Sequence, residues 1–472
     1  MPLWYEDAKL GIFINWGPYS VPAWAPPTGE TTRVIAEQGW EYLFAHDPRA
    51  EWYGNGMMIP GSPTYHHHRA AWGRMGRYDT FTRIFRQGLR DWDPAGLLGV
   101  IAGSGARYLV VSAKHHDGFA MWPSRKRNPR KRGWQVSRDV LGELAEGARA
   151  YGMRFGVYYS SGLDWTFGGT PIRSLADVVA AIPRTKSYAA YADAQWRDLI
   201  SRYSPSILWS DIGSPAGQDL LSLFSDFYES VPEGVINDRF GQLDLEEPGS
   251  FGRWTARVVK RLFSSRGARL PTRTLAALPV KHADFHTVDS DGLPPDSSGP
   301  WECVRPLGCS LGHSTEEADD HVPTVSALVR LLCDVTARGG NLLLGVGPLA
   351  DGSLSPLQAS RLLGLGEWLK FNGEAIFGSR PWGEVESTTG DGIEVRYTCR
   401  GMTTYALLLG TPAGRSIVLP SLRLLPYAGL RILGSIGYST WFQEGKDIHI
   451  RLTEPLRESP AHVISITPKP RA

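Results

Sequence analysis

The feature that most constrains the fold of this chain is an alternation of short apolar runs with longer amphipathic runs through roughly the first 350 residues. Apolar runs that predict strands cover residues 108–113, 154–160, 206–210, 235–236 and 341–347. Between the first two of them, residues 139–153 carry apolar side chains at the i, i+3, i+4 and i+7 spacing that is typical of a helix with one buried face. Strands that alternate with helices form βαβ units, so the sequence predicts an α/β protein with a parallel sheet.

A different pattern begins at about residue 380 and continues to the end of the chain. Short runs of alternating polarity, separated by Gly, Pro and Asp, occupy residues 393–397, 404–409, 416–419, 449–452 and 462–466. Such runs predict a small antiparallel β-domain, either a sandwich or a partly open sheet packed on the first domain. A chain of 472 residues is long enough for a barrel of ~250 residues or more and this second unit. We therefore predict two domains, residues 1–375 and 376–472.

Two of the predicted strands end in residues that can do chemistry. The sequence Ile-Leu-Trp-Ser-Asp ends the run at Asp211, and the run at 108–113 continues into Lys114-His115-His116-Asp117. The carboxyl ends of parallel barrel strands meet at one face, where barrel enzymes have their active sites. The sequence therefore predicts a single site that contains Asp211 and the two histidines.

Composition and charge exclude several classes of function. A net charge of +2 gives no reason to expect nucleic acid or an acidic membrane surface as a partner, and no run of ~20 apolar residues predicts a membrane span. Four cysteines without CxxC spacing predict buried free thiols, with a small Cys303–Cys309 disulfide as the alternative. No signal peptide is recognisable, which predicts a cytoplasmic protein, or a secreted one if the sequence is a processed form. No metal or cofactor is expected.

Three segments have an unusual composition. Residues 26–76 are rich in Gly, Pro and aromatics and include His66-His67-His68, for which a loop lining the cleft is a better explanation than a metal site. The basic run at 125–132 predicts a solvated loop. A second basic segment, 249–283, either packs on a neighbour or shapes the part of the site that holds the leaving group. The 17 tryptophans suit both core packing and contact with the apolar faces of sugar rings.

Cleavage of a glycosidic bond usually requires two carboxyl groups, one that attacks or activates water and one that protonates the leaving oxygen. Asp211 is the candidate for the first role. The second carboxyl stays open when the residues alone are considered, because several candidates fall in predicted loops: Asp117, Asp164, Asp238, Asp289 and Glu302.

Ten short strings, in order along about the first 380 residues, resemble the α-L-fucosidases of glycoside hydrolase family 29. They include Gly11-Ile-Phe-Ile-Asn-Trp-Gly, Glu51-Trp-Tyr, Lys114-His-His-Asp-Gly-Phe, Ile207-Leu-Trp-Ser-Asp, Asn237-Asp-Arg, Asp284-Phe-His-Thr, Trp301-Glu-Cys and Gly339-Gly-Asn-Leu-Leu-Leu-Gly-Val-Gly-Pro. The resemblance implies a (β/α)8-like TIM barrel followed by a C-terminal antiparallel β-sandwich. It also implies a retaining exo-glycosidase that acts on fucosylated oligosaccharides or glycans.

By the same resemblance, Asp211 is the nucleophile and Glu302 is the general acid and base, with Glu51 as the runner-up. Glu302 would be kept protonated by burial beside Trp301 and by the charge of Asp211. Trp209 and Phe285 are candidates for an apolar wall around the fucose methyl group. The positions expected to bind the sugar are Asn15, Glu51, Trp52, His115, His116, Tyr159, Trp209 and His286.

This chain departs from the family pattern at several positions. The family usually has His-Trp-Gly where this chain has Asn15-Trp-Gly, Ser-Trp-Gly-Tyr-Asn where it has Ser310-Leu-Gly-His-Ser, and Thr-Pro-Glu where it has Thr287-Val-Asp. Two alternatives therefore stay open: a related glycosidase with a shifted L-sugar preference and a non-catalytic carbohydrate-binding protein. If Asn15 is a specificity switch, Asn15→His should move the preference toward fucosides.

Overall fold

A computed structural model describes residues 1–74, 76–168, 171–242, 282–289, 299–435, 437 and 439–470. Its first part is built on parallel strands, most of which are apolar and buried along most of their length; the strand His286–Asp289 is polar and mostly exposed. These strands are β1 Leu10–Ile14, β2 Tyr108–Lys114, β3 Arg154–Ser160, β4 Ile207–Asp211, β5 Val235–Ile236, β6 His286–Asp289, β7 Trp301–Pro306 and β8 Asn341–Val346.

The eight strands are arranged as a barrel. Their order in the sheet is β5-β4-β3-β2-β1-β8-β7-β6, and each pair is parallel. The two ends of this sheet meet at a parallel bridge between Asn237 and Phe285, which follow β5 and precede β6. The α/β barrel expected from the sequence is confirmed, with β1 paired to both β2 and β8.

Helices connect and surround these strands. In chain order they are α1 Leu3–Ala8, α2 Thr31–Gln38, α3 Trp40–Ala45, α4 Tyr53–Gly56, α5 Pro63–Trp72, α6 Tyr78–Gly88, α7 Pro94–Gly103, α8 Val140–Ala150, α9 Leu175–Ala181, α10 Lys186–Tyr203, α11 Leu220–Ser230, α12 Val325–Ala337 and α13 Pro356–Asn372. Short 3-10 turns lie at Pro18–Ser20, Ala50–Trp52, Trp165–Phe167, Asp319–His321 and Gly373–Ala375.

Strand polarity determines which residues reach which end of the barrel. Asp211 is the last residue of β4, while Tyr108, Trp301 and Asn341 are the first residues of β2, β7 and β8. Because neighbouring strands are parallel, residues that begin strands lie at the end of the barrel opposite to Asp211. This distinction separates the residues of the site from those of the barrel floor.

The C-terminal part consists of two antiparallel sheets. One has the order β13-β16-β11-β10-β9 and the other β12-β15-β14, with an apolar core that includes Val395, Ile417, Ile450 and Ile464. The antiparallel sheets expected from the sequence are confirmed. Their strands are β9 Arg380–Thr388, β10 Glu394–Arg400, β11 Thr403–Leu408, β12 Ser416–Leu419, β13 Gly429–Ile432, β14 Ser439–Glu444, β15 Asp447–Leu452 and β16 His462–Thr467. A domain boundary at residue 375 stays a prediction, between the end of α13 at Asn372 and the start of β9.

The prediction that residues 26–76 form a loop is wrong. This segment contains α2 to α5, and His66, His67 and His68 lie on α5. Ser62 caps α5 through its hydroxyl, which accepts a hydrogen bond from the Tyr65 N–H at 3.0 Å, and Pro63 occupies the first helical position. A Ser-Pro pair is a common helix start.

The structure also bears on the predictions about the cysteines, a membrane span and the second basic segment. All four cysteines are free thiols. No helix among the described residues is long and apolar enough to cross a membrane. Most of the basic segment at 249–283 lies outside the described residues, so the two alternatives for its role stay predictions.

Candidate active site

A cavity of about 210 Å³ opens at the end of the barrel where β4 ends. Its lining combines aromatic side chains with charged groups of both signs, among them Trp40, Trp52, Arg49, Glu51, Asp211, Asp238, Arg239 and Asp289. This volume is below the ~300 Å³ at which pockets for drug-sized ligands begin. The cavity is therefore suited to a ligand smaller than a drug-sized molecule.

Asp211 lies in this cavity with its carboxylate facing three donors. Tyr158 donates its hydroxyl to Oδ2 at 3.2 Å, Arg239 donates Nη1 to Oδ1 at 3.3 Å, and the Ile212 N–H donates to Oδ1 at 3.0 Å. Donors of this kind stabilise the carboxylate form and fix its orientation. The arrangement suits an anion that attacks a neighbouring carbon.

Arg239 joins Asp211 to a second carboxylate across the cavity. Its Nη2 lies 2.6 Å from Asp289 Oδ1, while its Nε donates to Thr287 Oγ1 at 2.7 Å. The Asp289 side chain is 42 % exposed and that of Asp211 is 20 % exposed. A single guanidinium therefore contacts two carboxylates that line one cavity.

The residue that follows Asp211 has a strained backbone. Ile212 has φ of +56°, a conformation that is unfavourable for a β-branched residue and costs of order 1–3 kcal/mol. Its carbonyl packs against Gly162, where a Cβ would lie 2.0 Å from the Ile212 oxygen. Gly162 therefore leaves the space that this turn occupies beside the nucleophile candidate.

This close approach predicts a large effect of Gly162→Ala. The added methyl must displace Ile212 and with it Asp211, so we expect a destabilisation of roughly 1–3 kcal/mol and a lower kcat. Thermal unfolding and turnover measured together test this. Gly96→Ala in α7 is the matched control, since a Cβ there meets no atom within 4 Å; equal kcat values for the two variants would contradict the prediction.

Glu51 lies deeper in the same cavity. It is 2 % exposed, and its Oε2 accepts hydrogen bonds from Ser310 Oγ at 2.8 Å and from the Gly312 N–H at 2.9 Å. Burial raises the pKa of Glu51, against the opposing effect of the Gly312 N–H and of Arg49. A carboxyl held at the base of a sugar pocket is placed to accept hydrogen bonds from ring hydroxyls.

His115 and His116 are buried directly after β2. His116 Nδ1 lies 2.7 Å from Ser160 Oγ, and the His115 ring stacks on Tyr158 at 5.7 Å. Burial lowers the pKa of both rings well below its usual value, and neighbouring cationic groups lower it further. Both are therefore neutral near pH 7 and able to donate at one nitrogen and accept at the other.

Asn15 is fully buried at the end of β1. Its Oδ1 accepts a hydrogen bond from the Tyr19 hydroxyl, and its Nδ2 has no partner among the described residues. His115 Nδ1 is also buried without a partner. Unpaired buried donors are costly unless a ligand or water satisfies them, so these two atoms are candidate contacts for a bound polar molecule.

A sequence profile of the α-L-fucosidase family matches residues 1–374. The chain belongs to the α-L-fucosidase family. It is similar to the tissue α-L-fucosidase of Mus musculus, with 27 % identity over 461 residues that cover 94 % of this chain and 86 % of the relative. It is also similar to the α-L-fucosidase of Dictyostelium discoideum, with 28 % identity over 406 residues that cover 81 % and 72 %. The crystal structure of Thermotoga maritima α-fucosidase in complex with fucose matches with a TM-score of 0.81 and 34 % identity, covering 99 % of this chain and 97 % of that one.

In this α-L-fucosidase, Glu302 does not line the cavity that contains Asp211. It is the second residue of β7, it pairs with Asn341 at the start of β8, and it is 0 % exposed. Its Oε2 accepts hydrogen bonds from Tyr108 at 2.7 Å and from Tyr5 at 3.1 Å, and its Oε1 accepts one from Trp209 at 3.0 Å. Strand polarity thus places Glu302 toward the floor of the barrel and not in the lining of this cavity, and its role as the general acid stays a prediction.

Glu302 predicts a specific pH dependence of stability. Burial raises its pKa from 4.5 to about 7, so between these values the folded protein keeps a proton that the unfolded chain has released. Its contribution is fully present below the unfolded pKa and is lost as pH rises through the folded one, with a slope of up to roughly 1.4 kcal/mol per pH unit. Glu302→Gln cannot ionise and should flatten this slope in urea unfolding measured from about pH 5 to pH 8. Parallel profiles for the two proteins would contradict the assignment.

Tyr159 is on the wrong side of β3 to contact a sugar in the α-L-fucosidase cavity. Its hydroxyl donates to Gln195 on α10 at 2.8 Å, and its ring packs against Trp196. Successive side chains of a strand point to opposite faces, so the neighbouring Tyr158 points inward to Asp211. Tyr158 pairs in register with Trp209, two residues before the strand-end Asp211, and the sequence alone does not give this register.

The other predicted positions are divided between the cavity and its surroundings. Trp52 lines the cavity and meets the ring of His116 edge-on at 5.1 Å. Trp209 is buried beneath the cavity, and the Arg239 guanidinium lies 4.9 Å from the centre of the Trp209 ring. Phe285 packs on Tyr5 at 4.7 Å in the barrel interior, and the side chain of His286 is 69 % exposed beside Asp238, so neither lines the cavity.

Sequence reasoning missed Arg239, Arg49 and Ile212. Arg239 could have been found, because it is the third residue of the family string Asn237-Asp-Arg and lies three residues after the last residue of β5. Within the described residues, no group of three or more His, Cys, Asp or Glu side chains is arranged to hold a metal ion.

Proposed function

We propose that this protein is a retaining exo-glycosidase that releases terminal α-L-fucose from oligosaccharides or glycoconjugates by double displacement. The observation that carries the proposal is the single guanidinium of Arg239 between Asp211 and Asp289. Both carboxylates contact this guanidinium, at 3.3 Å and 2.6 Å, so they flank one cavity, as the paired carboxyl groups of a glycosidase must.

The second catalytic carboxyl is assigned to Asp289 instead of Glu302. In an exo-glycosidase the leaving group points out of the pocket, so the group that protonates it must be at the mouth. Asp289 is 42 % exposed there, whereas Glu51 is 2 % exposed at the base and Glu302 is 0 % exposed beneath the cavity. Glu51 is assigned to the sugar hydroxyls.

The reaction then follows from these positions. Asp211 attacks the anomeric carbon while Asp289 gives its proton to the glycosidic oxygen, so the bond to the leaving group breaks and a glycosyl–Asp211 ester forms. Asp289, now a carboxylate, takes a proton from water, and the resulting hydroxide displaces Asp211 and releases fucose. Tyr158 and Arg239 hold Asp211 in line throughout.

Sugar recognition is assigned to the buried polar groups. Neutral His115 and His116, the carboxyl of Glu51 and the unpaired Nδ2 of Asn15 supply directional donors and acceptors for hydroxyl groups. Trp52 supplies an apolar face. Asn15 cannot be charged, so it binds a hydroxyl only as a neutral donor or acceptor.

The proposal is tested by release of 4-nitrophenol from matched aryl glycosides. We expect turnover of the α-L-fucoside, with kcat/KM at least tenfold above that of the β-L-fucoside and of the α-L-galactoside, which adds a hydroxyl to the methyl group of fucose. Faster turnover of the α-L-galactoside would point to a shifted sugar preference. No turnover of any of the three by a folded sample would contradict the proposal.

A further inference from the structure

The basic run at 125–132 forms an exposed loop on the catalytic side of the barrel. We call it the basic loop; six of its eight residues are Arg or Lys, whereas the whole chain has a net charge of +2. It lies between the end of β2 and the start of α8. Connections of this type are at the same face as Asp211, because they follow the carboxyl ends of the strands.

The backbone of the basic loop is held in place by buried polar side chains. Asp198, which is 7 % exposed, accepts hydrogen bonds from Trp122 Nε1 at 2.9 Å, from Ser124 Oγ at 3.2 Å and from the Arg125 N–H at 3.2 Å. Gln195 donates to the Lys126 carbonyl at 2.9 Å. The first half of the loop is therefore fastened to α10.

Asn128 fastens the second half. It is 7 % exposed, its Oδ1 accepts the N–H groups of Arg130 at 2.8 Å and Lys131 at 3.0 Å, and its Nδ2 donates to Thr166 at 2.7 Å. A run of like charges usually repels itself into disorder. Here the hydrogen bonds of Asn128 hold the backbone in place although the cationic side chains repel each other. A bound anion would reduce that repulsion.

The cations themselves have few counter-charges. Lys131 pairs with Asp79 at 2.6 Å. The other five have no carboxylate within 4.0 Å in the described part of the chain, and all five are exposed: Arg125, Lys126, Arg127, Arg130 and Arg132. The loop thus presents ordered positive charge that the protein does not neutralise.

The basic loop is continuous with the wall of the sugar cavity. Thr166, which receives the Asn128 hydrogen bond, follows Trp165, and the Trp165 ring meets Trp52 of the cavity at 5.8 Å. The Arg130 guanidinium lies over Phe167 at 5.4 Å. Trp165 and Thr166 therefore link the cavity wall at Trp52 to the basic loop at Asn128.

We infer that the basic loop binds the anionic groups, sulfate esters or carboxylates, of a polyanionic glycan whose terminal fucosyl unit occupies the cavity. This inference rests on the proposed function and names its substrate class. The ordering of the loop against its own repulsion, and its continuity with the sugar site through Trp165, favour a glycan over other polyanions. Exposed pairs are weak one by one, so several cations must act together.

The test compares a sulfated fucosyl oligosaccharide with the same oligosaccharide after desulfation. For the wild type we expect kcat/KM on the sulfated form to be roughly tenfold higher at low salt, mainly through KM, and the ratio to fall as ionic strength rises. In Arg125→Gln/Arg127→Gln/Arg132→Gln the ratio should approach one. The charge-matched control is Arg415→Gln/Arg423→Gln/Arg457→Gln, at exposed positions in the connections between the C-terminal strands, and it should keep the wild-type ratio.

Other outcomes overturn the inference separately from the proposed function. Equal turnover of both forms, an equal loss in the control variant, or tighter binding of single-stranded polynucleotide than of the sulfated glycan would overturn the inference while fucosidase activity stands. Failure to hydrolyse the aryl α-L-fucoside would overturn the proposed function. In that case, titration of the folded protein with the sulfated glycan still tests the loop, and lack of salt-dependent binding would overturn the inference too.

Discussion

Replacing Asp211 with glycine is expected to lower kcat on the aryl α-L-fucoside by on the order of 10³-fold or more, with the fold intact. The variant lacks the nucleophile but keeps Tyr158 and Arg239, which face the vacated space. Added azide should enter that space, attack the anomeric carbon and restore turnover, with β-fucosyl azide as the product. Product analysis by NMR measures both the rescue and its stereochemistry.

Asp320→Gly is the control for this experiment, since that side chain is 85 % exposed on a short surface helix. It should keep wild-type turnover and show no response to azide. An Asp211→Gly protein that stays active, or one whose azide product has the α configuration, would contradict the assignment of Asp211 as the nucleophile of a retaining enzyme.

The second expected result concerns the proton donor. Asp289→Asn should lower kcat on substrates with poor leaving groups, such as alkyl fucosides, by on the order of 10²–10⁴-fold, and affect the 4-nitrophenyl fucoside much less, because a good leaving group needs no proton. Glu302→Gln should affect both substrates to the same extent, since it acts only through the hydrogen bond to Trp209 beneath Asp211. A leaving-group series analysed as log kcat against leaving-group pKa makes the comparison.

Glu51→Gln completes this set of variants. It removes the charge at the base of the cavity but keeps an acceptor for Ser310 and the Gly312 N–H, so we expect mainly a higher KM. A steep leaving-group dependence in this variant, and a flat one in Asp289→Asn, would assign the proton donor to Glu51. A steep leaving-group dependence in Glu302→Gln would instead assign the role of proton donor to Glu302.

Five barrel strands, β2, β3, β4, β5 and β8, could be predicted because their runs are apolar and buried, whereas β1, β6 and β7 were missed. Three C-terminal strands were missed: β9, β13 and β14. All three are at the edges of their sheets, where one side is exposed and the apolar alternation is weak. In residues 26–76 the Gly and Pro content obscured helices whose start signal, Ser62-Pro63, was present in the sequence.

The position of a site residue could be predicted where that residue directly follows the apolar run of a strand. It could not be predicted where it was inferred from a sequence motif alone. Asp211 ends its strand, so its location followed from strand polarity alone. Glu302 is the second residue of its strand and Tyr159 faces away from the barrel interior, and the sequence motifs that contain them convey neither fact. Alternation along β3 and the register of β7 against β8 decide these two positions, and both need the pairing of strands distant in sequence.

Arg239 lies between two carboxyl groups whose charges change in opposite senses during the proposed reaction. Before attack, Asp211 is the anion and Asp289 holds the proton; in the glycosyl-enzyme, Asp211 is an ester and Asp289 is the anion. The sum of the two charges stays at minus one, so negative charge crosses from one side of the guanidinium to the other while the cavity keeps its net charge. A fixed cation contacting both sites, at 3.3 Å and 2.6 Å, needs little reorganisation as that transfer occurs. Arg239 thus acts as a common counter-ion that keeps both half-reactions electrostatically alike.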